Sequence, residues 1–539
     1  ACREHGAAIR HVAGVVLIVA AVLAVAVHPA RARLLRAIGD PVSQQGGAFG
    51  GALAAVGSDL AVGAPGERVF DRDRAGLVQL FTTGGVLRRT FEAPAPVADA
   101  AFGVALAVRD GLLHVGAPGD RPIGLAGLGA IHVFDVATGG LVRTVRPPAA
   151  GASGVPVGGP RISTGLLQST AALPEALGFG RALTVVGDRL VVGAPDSVVE
   201  GLAGAGAVYL FDGQGTLLRT FRETSPTAGA RFGTSVALIA GVLFVGTPGA
   251  PVAGVEGAGV VWAYDARTAD PLQTLNAPLP VERAAFGTVV GEIAGALFVG
   301  APGDQAVGLD GVGAVYLFPA HQATPLAIID APAPAADLAF GHAVAVVGTD
   351  LLVGADGAGP DHSGTAYLID PATSIVRATF APASLREDGR FGFALATVGT
   401  AIAIGEPAPG ARASSGQVYL FGSTTGTATG RPVARRIPPP AGLRTPATGA
   451  IDPATLATSC VQEPTPASVE CRLSLLLGTV LRVAPPELAR PLLRAWRASH
   501  RGEGTRGPGR VRALRRAARG VDAFTRLLDT RGAPGVATD

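Results

Sequence analysis

Short apolar runs of four to six residues, separated by turns, alternate along most of this chain and fall into groups with a fixed pair of motifs. A Phe-Gly pair precedes the first run, and Gly-Ala-Pro or a variant ends the second. The pairs begin at Phe49, Phe102, Phe179, Phe232, Phe286, Phe340 and Phe391. In every copy the first glycine of the second motif lies 14 residues after the phenylalanine. Seven copies with one internal spacing identify a repeat protein.

Each repeat contains four runs with strand character. The first run, such as residues 182–186, is short and consists of small or β-branched residues. A tight turn leads to the second run. Proline cannot donate an amide proton to a β-ladder, so the proline of the second motif marks the end of this run. After a Gly-rich loop the third run is apolar and aromatic, as in residues 207–211, and a turn leads to the fourth, as in residues 217–221. Each unit is predicted to be four antiparallel strands.

A four-stranded unit of this kind cannot bury both of its faces alone, so the units must stack. Seven of them predict an all-β fold, a seven-bladed β-propeller of four-stranded antiparallel blades. The first strands are expected to line the central channel, and the phenylalanines to pack between blades. Residues 34–38 begin 15 residues before Phe49, as residues 87–91 do before Phe102. The N-terminal strand is therefore predicted to complete the seventh blade, with residues 431–437 as the competing candidate.

The N-terminal segment 1–32 is predicted to direct the chain out of the cytoplasm. Residues 12–27 are uninterruptedly apolar and would span about 24 Å as a helix, less than the roughly 30 Å of a bilayer core. A small-x-small pattern ends at Ala32, which favours an export signal cut after that residue. An uncleaved membrane anchor is the alternative. Either interpretation makes the propeller, residues 33–440, secreted, extracellular or periplasmic, with membrane contact only through an uncleaved anchor.

The C-terminal part differs in composition from the repeats. Residues 441–466 are predicted to be a Pro-rich linker, and residues 467–539 a small, basic helical domain, because apolar residues there recur at helical spacing. Residues 441–539 carry 15 arginines against 8 acidic residues, while the whole chain has a net charge of +3. The repeats are therefore mildly acidic, which argues against nucleic-acid binding. Cys460 and Cys471 are a candidate disulfide, with two free thiols as the alternative.

The Phe-Gly pair in all seven copies and Gly-Ala-Pro in four of them resemble the FG-GAP repeats of integrin alpha-chain N-terminal propellers and of many secreted bacterial proteins. The resemblance covers about residues 33–440. It implies a propeller and a role in adhesion or interaction, with an extracellular protein or glycan as partner. Family members that bind calcium place an Asp-rich loop between the first two strands. Here that connection is a tight turn in all seven copies, so calcium, other metals and cofactors are not expected.

Candidate binding residues lie in the loops after the second and fourth strands, which are expected to open on the same face. An acidic rim there would attract a basic partner or a cation. The candidates after the second strand are Glu67, Asp71, Asp73, Asp120, Asp196, Glu256, Asp304, Asp310, Asp356 and Asp361. Those after the fourth strand are Glu282, Asp337, Glu387 and Asp388.

A long insertion is the second candidate for a binding element. Successive Phe-Gly pairs are 51–54 residues apart, except for the second and third, which are 77 apart. The extra residues lie within 147–177, include Arg161, and are polar and rich in Gly and Pro. Long loops on rigid scaffolds often carry function.

No catalytic motif stands out in the sequence. It contains no nucleophile elbow, zinc-binding histidine pair or phosphate loop in a fitting context. His114 and His132 lie in predicted strands of the second blade, where a structural role is expected. The predicted function is therefore non-catalytic binding. The alternative is a propeller hydrolase or lyase, in which His, Asp, Glu or Arg from several blades would converge at the channel mouth.

Overall fold

A computed structural model describes residues 30–42, 44–121, 129–148, 177–306, 308–319, 322–408 and 415–422. The strands before the first Phe-Gly pair are β1 (Ala30–Arg31) and β2 (Leu34–Gly39). Blade 1 contains β3 (Ala52–Val56), β4 (Asp59–Ala64), β5 (Leu77–Thr82) and β6 (Leu87–Phe91). Blade 2 contains β7 (Leu106–Arg109), β8 (Leu112–Ala117), β9 (Ala130–Asp135) and β10 (Leu141–Val145). Blade 3 contains β11 (Ala182–Val186), β12 (Arg189–Ala194), β13 (Ala207–Phe211) and β14 (Leu217–Phe221).

The remaining blades repeat the same order. Blade 4 contains β15 (Ser235–Ile239), β16 (Val242–Thr247), β17 (Val260–Asp265) and β18 (Pro271–Leu275). Blade 5 contains β19 (Val289–Ile293), β20 (Ala296–Ala301), β21 (Ala314–Pro319) and β22 (Ala327–Asp330). Blade 6 contains β23 (Phe340–Val347), β24 (Asp350–Ala355), a 3₁₀ turn (Pro360–His362), β25 (Thr365–Asp370) and β26 (Ile375–Phe380). Blade 7 contains β27 (Ala394–Val398), β28 (Ala401–Glu406) and β29 (Gln417–Gly422).

These strands form a seven-bladed propeller, which confirms the predicted architecture. Each blade is an antiparallel sheet in chain order, and the first strands contact one another in sequence until β27 contacts β3. The innermost ring is therefore made of the strands with small residues, as predicted. The strand β2 supplies the fourth strand of blade 7 by pairing antiparallel with β29, Ile38 opposite Val418. The predicted closure by the N-terminal strand is confirmed, and β1 adds a parallel fifth strand to blade 6.

The motif glycines are required because neighbouring blades approach through their backbones. A Cβ on Gly63 would lie 2.1 Å from the carbonyl oxygen of Gly103 in blade 2. The same contact recurs at each junction and closes the circle between Gly405 and Gly50, again at 2.1 Å. A side chain at these positions would separate the blades, so glycine is the only residue that fits.

The phenylalanine of each Phe-Gly pair is fully buried at the junction between two blades, as predicted. Phe391, for example, lies in a cluster with Leu352 and Phe380 of blade 6 and with Tyr419 and Phe421 of blade 7. Its ring centroid is 5.3 Å from Tyr419 and 6.1 Å from Phe421, both in edge-on arrangements. Burying a phenylalanine contributes about 1.5–3 kcal/mol, so each junction gains a stabilising apolar contact.

Several predicted features lie outside the described residues. They are most of the N-terminal segment 1–32, the insertion with Arg161, the alternative closing strand 431–437, the linker 441–466, Cys460, Cys471 and the helical domain 467–539. The predicted cleavage point after Ala32 falls between β1 and β2. In the ranges that the structure describes, no helix has the length and apolar character needed to cross a membrane.

Candidate functional site

The loops after the second and fourth strands lie on one face of the propeller, here named the loop face. The backbone connects them from blade to blade: the Asp99 N–H, in the loop entering blade 2, donates to the Asp73 carbonyl of blade 1 at 2.9 Å. The Asp337 N–H donates in the same way to the Asp310 carbonyl, at 3.0 Å. The sequence prediction that these two sets of loops share a face is confirmed.

The structure divides the predicted rim residues into two layers. Exposed on the loop face are Asp71, Asp73, Glu256, Glu282, Asp310, Asp337, Asp361 and Glu387. Partly exposed are Asp196 and Asp388. Buried beneath the face are Glu67, Asp120, Asp304 and Asp356. The buried set lies beneath the surface that a macromolecular partner would contact, and its side chains make their contacts inside the propeller.

One buried acid forms a polar network inside blade 2. His132 Nε2 is 3.1 Å from Asp120 Oδ2, and His132 Nδ1 is 3.1 Å from Thr144 Oγ1. Arg146 donates to the same Asp120 oxygen at 3.2 Å. Burial of Asp120 opposes its ionisation, but the hydrogen bond with His132 and the charge of Arg146 outweigh burial, and its pKa is lowered. His132, only 2% exposed, is thus a core histidine, as predicted.

His114, the other histidine of this blade, is also buried. Burial lowers the pKa of His114 to about 4, and the neighbouring Arg143 acts in the same direction. The imidazole is therefore neutral at physiological pH. This state fits the predicted structural role.

Acids at two further junctions face hydroxyl or indole donors. The Tyr316 hydroxyl donates to Asp304 Oδ2, and burial raises the pKa of Asp304 to about 6. Trp262 Nε1 of blade 4 donates to Glu223 Oε1 at 3.1 Å, across the junction from the end of blade 3. Burial raises the pKa of Glu223 to about 6. Both contacts satisfy buried carboxyl groups, and the contact between Trp262 and Glu223 also joins blade 3 to blade 4.

A cavity of about 390 Å³ opens among the loops of blades 5, 6 and 7. Six ionisable side chains line it: Arg283, Asp337, His342, Asp356, His362 and Arg390. We name this cavity the blade 6 pocket. Its volume lies within the range of small-ligand sites in proteins, and its two arginines, two aspartates and two histidines offer both hydrogen-bond donors and acceptors.

Blade 6 differs from the other blades at one position that lines this pocket. Asp356 stands where six copies of the second motif have proline, and it is only 6% exposed. His342 Nδ1 is 3.3 Å from Asp356 Oδ1, and the His342 ring lies 4.9 Å from the Phe393 ring of blade 7. Neither His342 Nδ1 nor Asp356 Oδ1 has a hydrogen-bond partner among the described residues, so the pair is a close contact and not a hydrogen bond.

Sequence reasoning placed Asp337 and Asp356 on this face but missed Arg283, His342, His362 and Arg390. The Gly354-Ala355-Asp356 variant was the sequence feature that pointed to this site. An acid at a position that is otherwise proline indicates a nearby polar group, here His342. Arg283 and Arg390 gave no such signal, since they belong to loops more than 100 residues apart.

Convergence of His, Asp and Arg was the pattern expected of an enzyme, and three blades do contribute to the pocket. Of the six side chains, however, only Asp356 is buried, and Arg283, Asp337, His362 and Arg390 are exposed. In the parts of the chain that the structure describes, no group of three or more His, Cys, Asp or Glu side chains is placed to hold a metal ion. No family model matches the chain, and no curated protein matches it as a relative.

Proposed function

We propose that this chain is a non-catalytic binding propeller of the FG-GAP type, secreted or held at a cell surface, which takes an extracellular protein or glycan on its loop face. The observation that carries the proposal is the blade 6 pocket, where one blade departs from the repeat and exposed charged groups of three blades meet. Catalytic groups are commonly buried to shift their pKa values, whereas most of these side chains remain in contact with solvent.

The chemistry of the pocket favours a polar partner. Arg283 and Arg390 offer several fixed N–H donors, and Asp337 offers carboxylate acceptors. Vicinal hydroxyls of a sugar, or a charged side chain of a partner protein, would satisfy both kinds of group. Acidic residues around the pocket, such as Asp310 and Asp361, would extend the contact to basic groups of the partner.

Binding of the full-length chain to an array of glycans and extracellular ectodomains tests this proposal. We expect Arg390→Ala and His342→Ala each to weaken the strongest interaction at least tenfold. Asp188→Ala is the matched control, because this residue lies in the turn between β11 and β12, away from the loop face, and its side chain is 74% exposed. Unchanged binding by both pocket variants would move the site elsewhere and overturn the proposal.

A hydrolase or lyase is the second candidate, and the His342–Asp356 pair is the observation that favours it. A histidine close to a carboxylate in a cavity is a candidate general base. Mass spectrometry of the arrayed glycans after incubation separates the two functions. Cleavage that disappears in His342→Gln would establish an enzyme, whereas binding without cleavage supports the binding propeller.

A further inference from the structure

The ring of blades closes where the segment after β2 meets the loop after β4. The strand β2 pairs with β29 in blade 7, and Asp40 follows β2 directly. Glu67 lies three residues after β4 of blade 1. Its N–H donates to the Ala64 carbonyl at 3.2 Å, and its carbonyl accepts the Gly76 N–H at 2.8 Å. Asp40 and Glu67 therefore belong to opposite sides of the junction between blades 7 and 1.

The carboxyl groups of Asp40 and Glu67 lie together inside this junction, and we name them the closure pair. Asp40 is 5% exposed and Glu67 is 0% exposed. Asp40 Oδ1 accepts the Val42 N–H at 2.9 Å, and the Asp40 carboxyl also lies within hydrogen-bonding distance of the Glu67 carboxyl. Ionised carboxylates are acceptors only and repel each other. A hydrogen bond between the two groups therefore requires a proton on one of them.

No other donor of the described residues reaches the Glu67 carboxyl group. Neither of its oxygens accepts a hydrogen bond from an N–H group or a hydroxyl there. Buried acids at other positions do face such groups: Asp120 faces His132, Glu223 faces Trp262, Asp304 faces Tyr316, and Glu406 faces Tyr419. A buried acceptor without a donor is costly. A proton within the closure pair removes this cost.

The charged groups near the closure pair supply no compensating cation in the part of the chain that the structure describes. Arg68 follows Glu67, but its guanidinium lies 3.1 Å from Asp71 and 3.3 Å from Asp73 at the surface. The charge that acts on Glu67 is that of Asp40. The remaining charged side chains on the strands of this junction make contacts of their own: Arg36 with Gly85, Asp59 with Arg88, and Glu406 with Tyr419.

The backbone encloses the Glu67 carboxyl group. A Cβ on Gly47 would lie 1.9 Å from Glu67 Oε1, so only glycine leaves room for this side chain. The Gly47 carbonyl accepts the Gly66 N–H at 2.9 Å, which holds this segment against blade 1. Burial and the neighbouring Asp40 raise the pKa of Glu67 to about 8. Glu67 therefore carries a proton at neutral pH.

We propose that one proton shared between Asp40 and Glu67 holds the ring closed, which makes the closure pair a pH-dependent switch between β2 and blade 1. When this proton leaves to solvent, two negative charges face each other in a buried junction. Opening of the junction lets water reach both charges, so ring closure weakens as the pH rises. The switch lies between blades 7 and 1 and is independent of the blade 6 pocket.

The direction of the effect follows from the two states of the junction. In the closed ring the pKa of Glu67 is about 8, against an ordinary value of 4.5. Between these values the closed ring holds a proton that the open junction releases. Closure is therefore strongest below about pH 4.5 and is lost as the pH rises through about 8. Within this window, each pH unit changes the closing equilibrium by up to about tenfold.

Hydrogen–deuterium exchange of the full-length chain, followed by mass spectrometry, tests the switch. Chains are compared at the same pH, so that the intrinsic rate of amide exchange cancels. At about pH 9, β2 should exchange at least about tenfold faster in the unmodified chain than in Glu67→Gln. The glutamine amide is a permanent donor to Asp40 and has no proton to lose in this range. At about pH 5, where the pair keeps its proton, the two chains should exchange alike.

Two controls restrict the interpretation to the closure pair. The strand β14 occupies the same position in blade 3 as β2 does in blade 7, and its exchange should not differ between the chains. Asp304→Asn is the matched control variant, because it changes a buried acid of blade 5, and β2 should exchange in it as in the unmodified chain.

Asp40→Asn is the second test variant, because it removes the charge that acts on Glu67 and supplies an amide donor. It should protect β2 at about pH 9 as Glu67→Gln does. Should Glu67→Gln fail to fold, Asp40→Asn decides the question by the same comparison. Equal exchange of β2 in the unmodified chain and both variants at alkaline pH would overturn the switch. Faster exchange in both variants at every pH would also overturn it, since the carboxyl groups would then hold the junction without a shared proton.

Discussion

At the residue scale, equivalent positions in successive repeats carry different side chains, and the residues that these side chains contact differ as well. Asp120 faces a histidine, Asp304 faces a tyrosine, and Glu223 reaches a tryptophan from the preceding blade. Each pair replaces the hydration of a carboxyl group with buried hydrogen bonds. The cost of that exchange depends on the ionisation of the acid, and the stability of the junction therefore depends on pH.

Asp304→Asn tests this dependence. The pKa of Asp304 rises from 3.8 to about 6 because burial penalises its charged form, and Asp330 adds a smaller repulsion. Its contribution to stability is therefore present in full below pH 4 and is lost as pH rises through 6. Relative to Asp304→Asn, the unmodified chain should lose on the order of 3 kcal/mol of unfolding free energy between pH 4 and pH 7.

Denaturant unfolding at several pH values measures this difference. The control is Asp310→Asn, which changes an exposed acid of the same loop. A difference for Asp304→Asn that does not vary with pH would show that folding does not raise the pKa of this carboxyl group.

At the element scale, the blades are joined through backbone contacts that leave no space for side chains. Gly193, at the end of β12, illustrates this: a Cβ there would lie 2.1 Å from the Gly233 carbonyl of blade 4. The Gly233 N–H meanwhile donates to Gly246 of its own blade at 3.1 Å. The glycine of the second motif in one repeat thus contacts the glycine of the Phe-Gly pair in the next repeat, and the contact requires both glycines.

Gly193→Ala should therefore destabilise the propeller strongly. The new methyl group would force blades 3 and 4 apart at a backbone carbonyl that has little freedom to move, at a cost of about 3 kcal/mol. Gly213→Ala is the matched control in the same blade, since its nearest neighbour would be 3.4 Å away. Thermal unfolding of both variants checks the prediction, and similar melting temperatures would contradict it.

At the scale of the whole molecule, ring closure depends on a short strand from the beginning of the described chain. Ile38 of β2 is 4% exposed and packs with blade 1 and blade 7 residues in one cluster. Leu35 of the same strand is 52% exposed. The side chain of Ile38 is therefore part of the closure, whereas that of Leu35 is not.

Ile38→Ala should cost about 2–4 kcal/mol, the usual loss for a buried aliphatic side chain. Leu35→Ala should change stability by less than about 0.5 kcal/mol, as expected for an exposed position. Denaturant midpoints of the two variants measure the contrast. Equal midpoints would mean that β2 does not hold the ring closed in solution.

Much of the fold could be predicted because the repeat is a local pattern. The spacing between the Phe-Gly pair and the second motif sets the length of the first two strands, and proline marks where the second one ends. The position of residues 34–38 relative to Phe49 predicted the closing strand for the same reason. Blades built from one pattern have one geometry, so seven copies determine seven blades.

The candidate site was less predictable because it arises between repeats. Asp304 and Asp310 lie in the same loop, yet one is buried against Tyr316 and the other is exposed. Their sequence context does not distinguish a side chain that turns into the junction from one that turns to solvent. The blade 6 pocket combines Arg283 with Arg390, whose proximity depends on the rotation from one blade to the next.

The sequence by itself determined the number of blades, the strands within each and the strand that closes the ring, because hydrophobic pattern and turn chemistry act over short distances along the chain. The tertiary structure alone decided which acids are buried, which charged loops share a pocket, and that Asp40 meets Glu67 across the closure. The physical reason is that burial and electrostatic contact depend on how separate blades pack, and that packing joins residues that the sequence keeps apart.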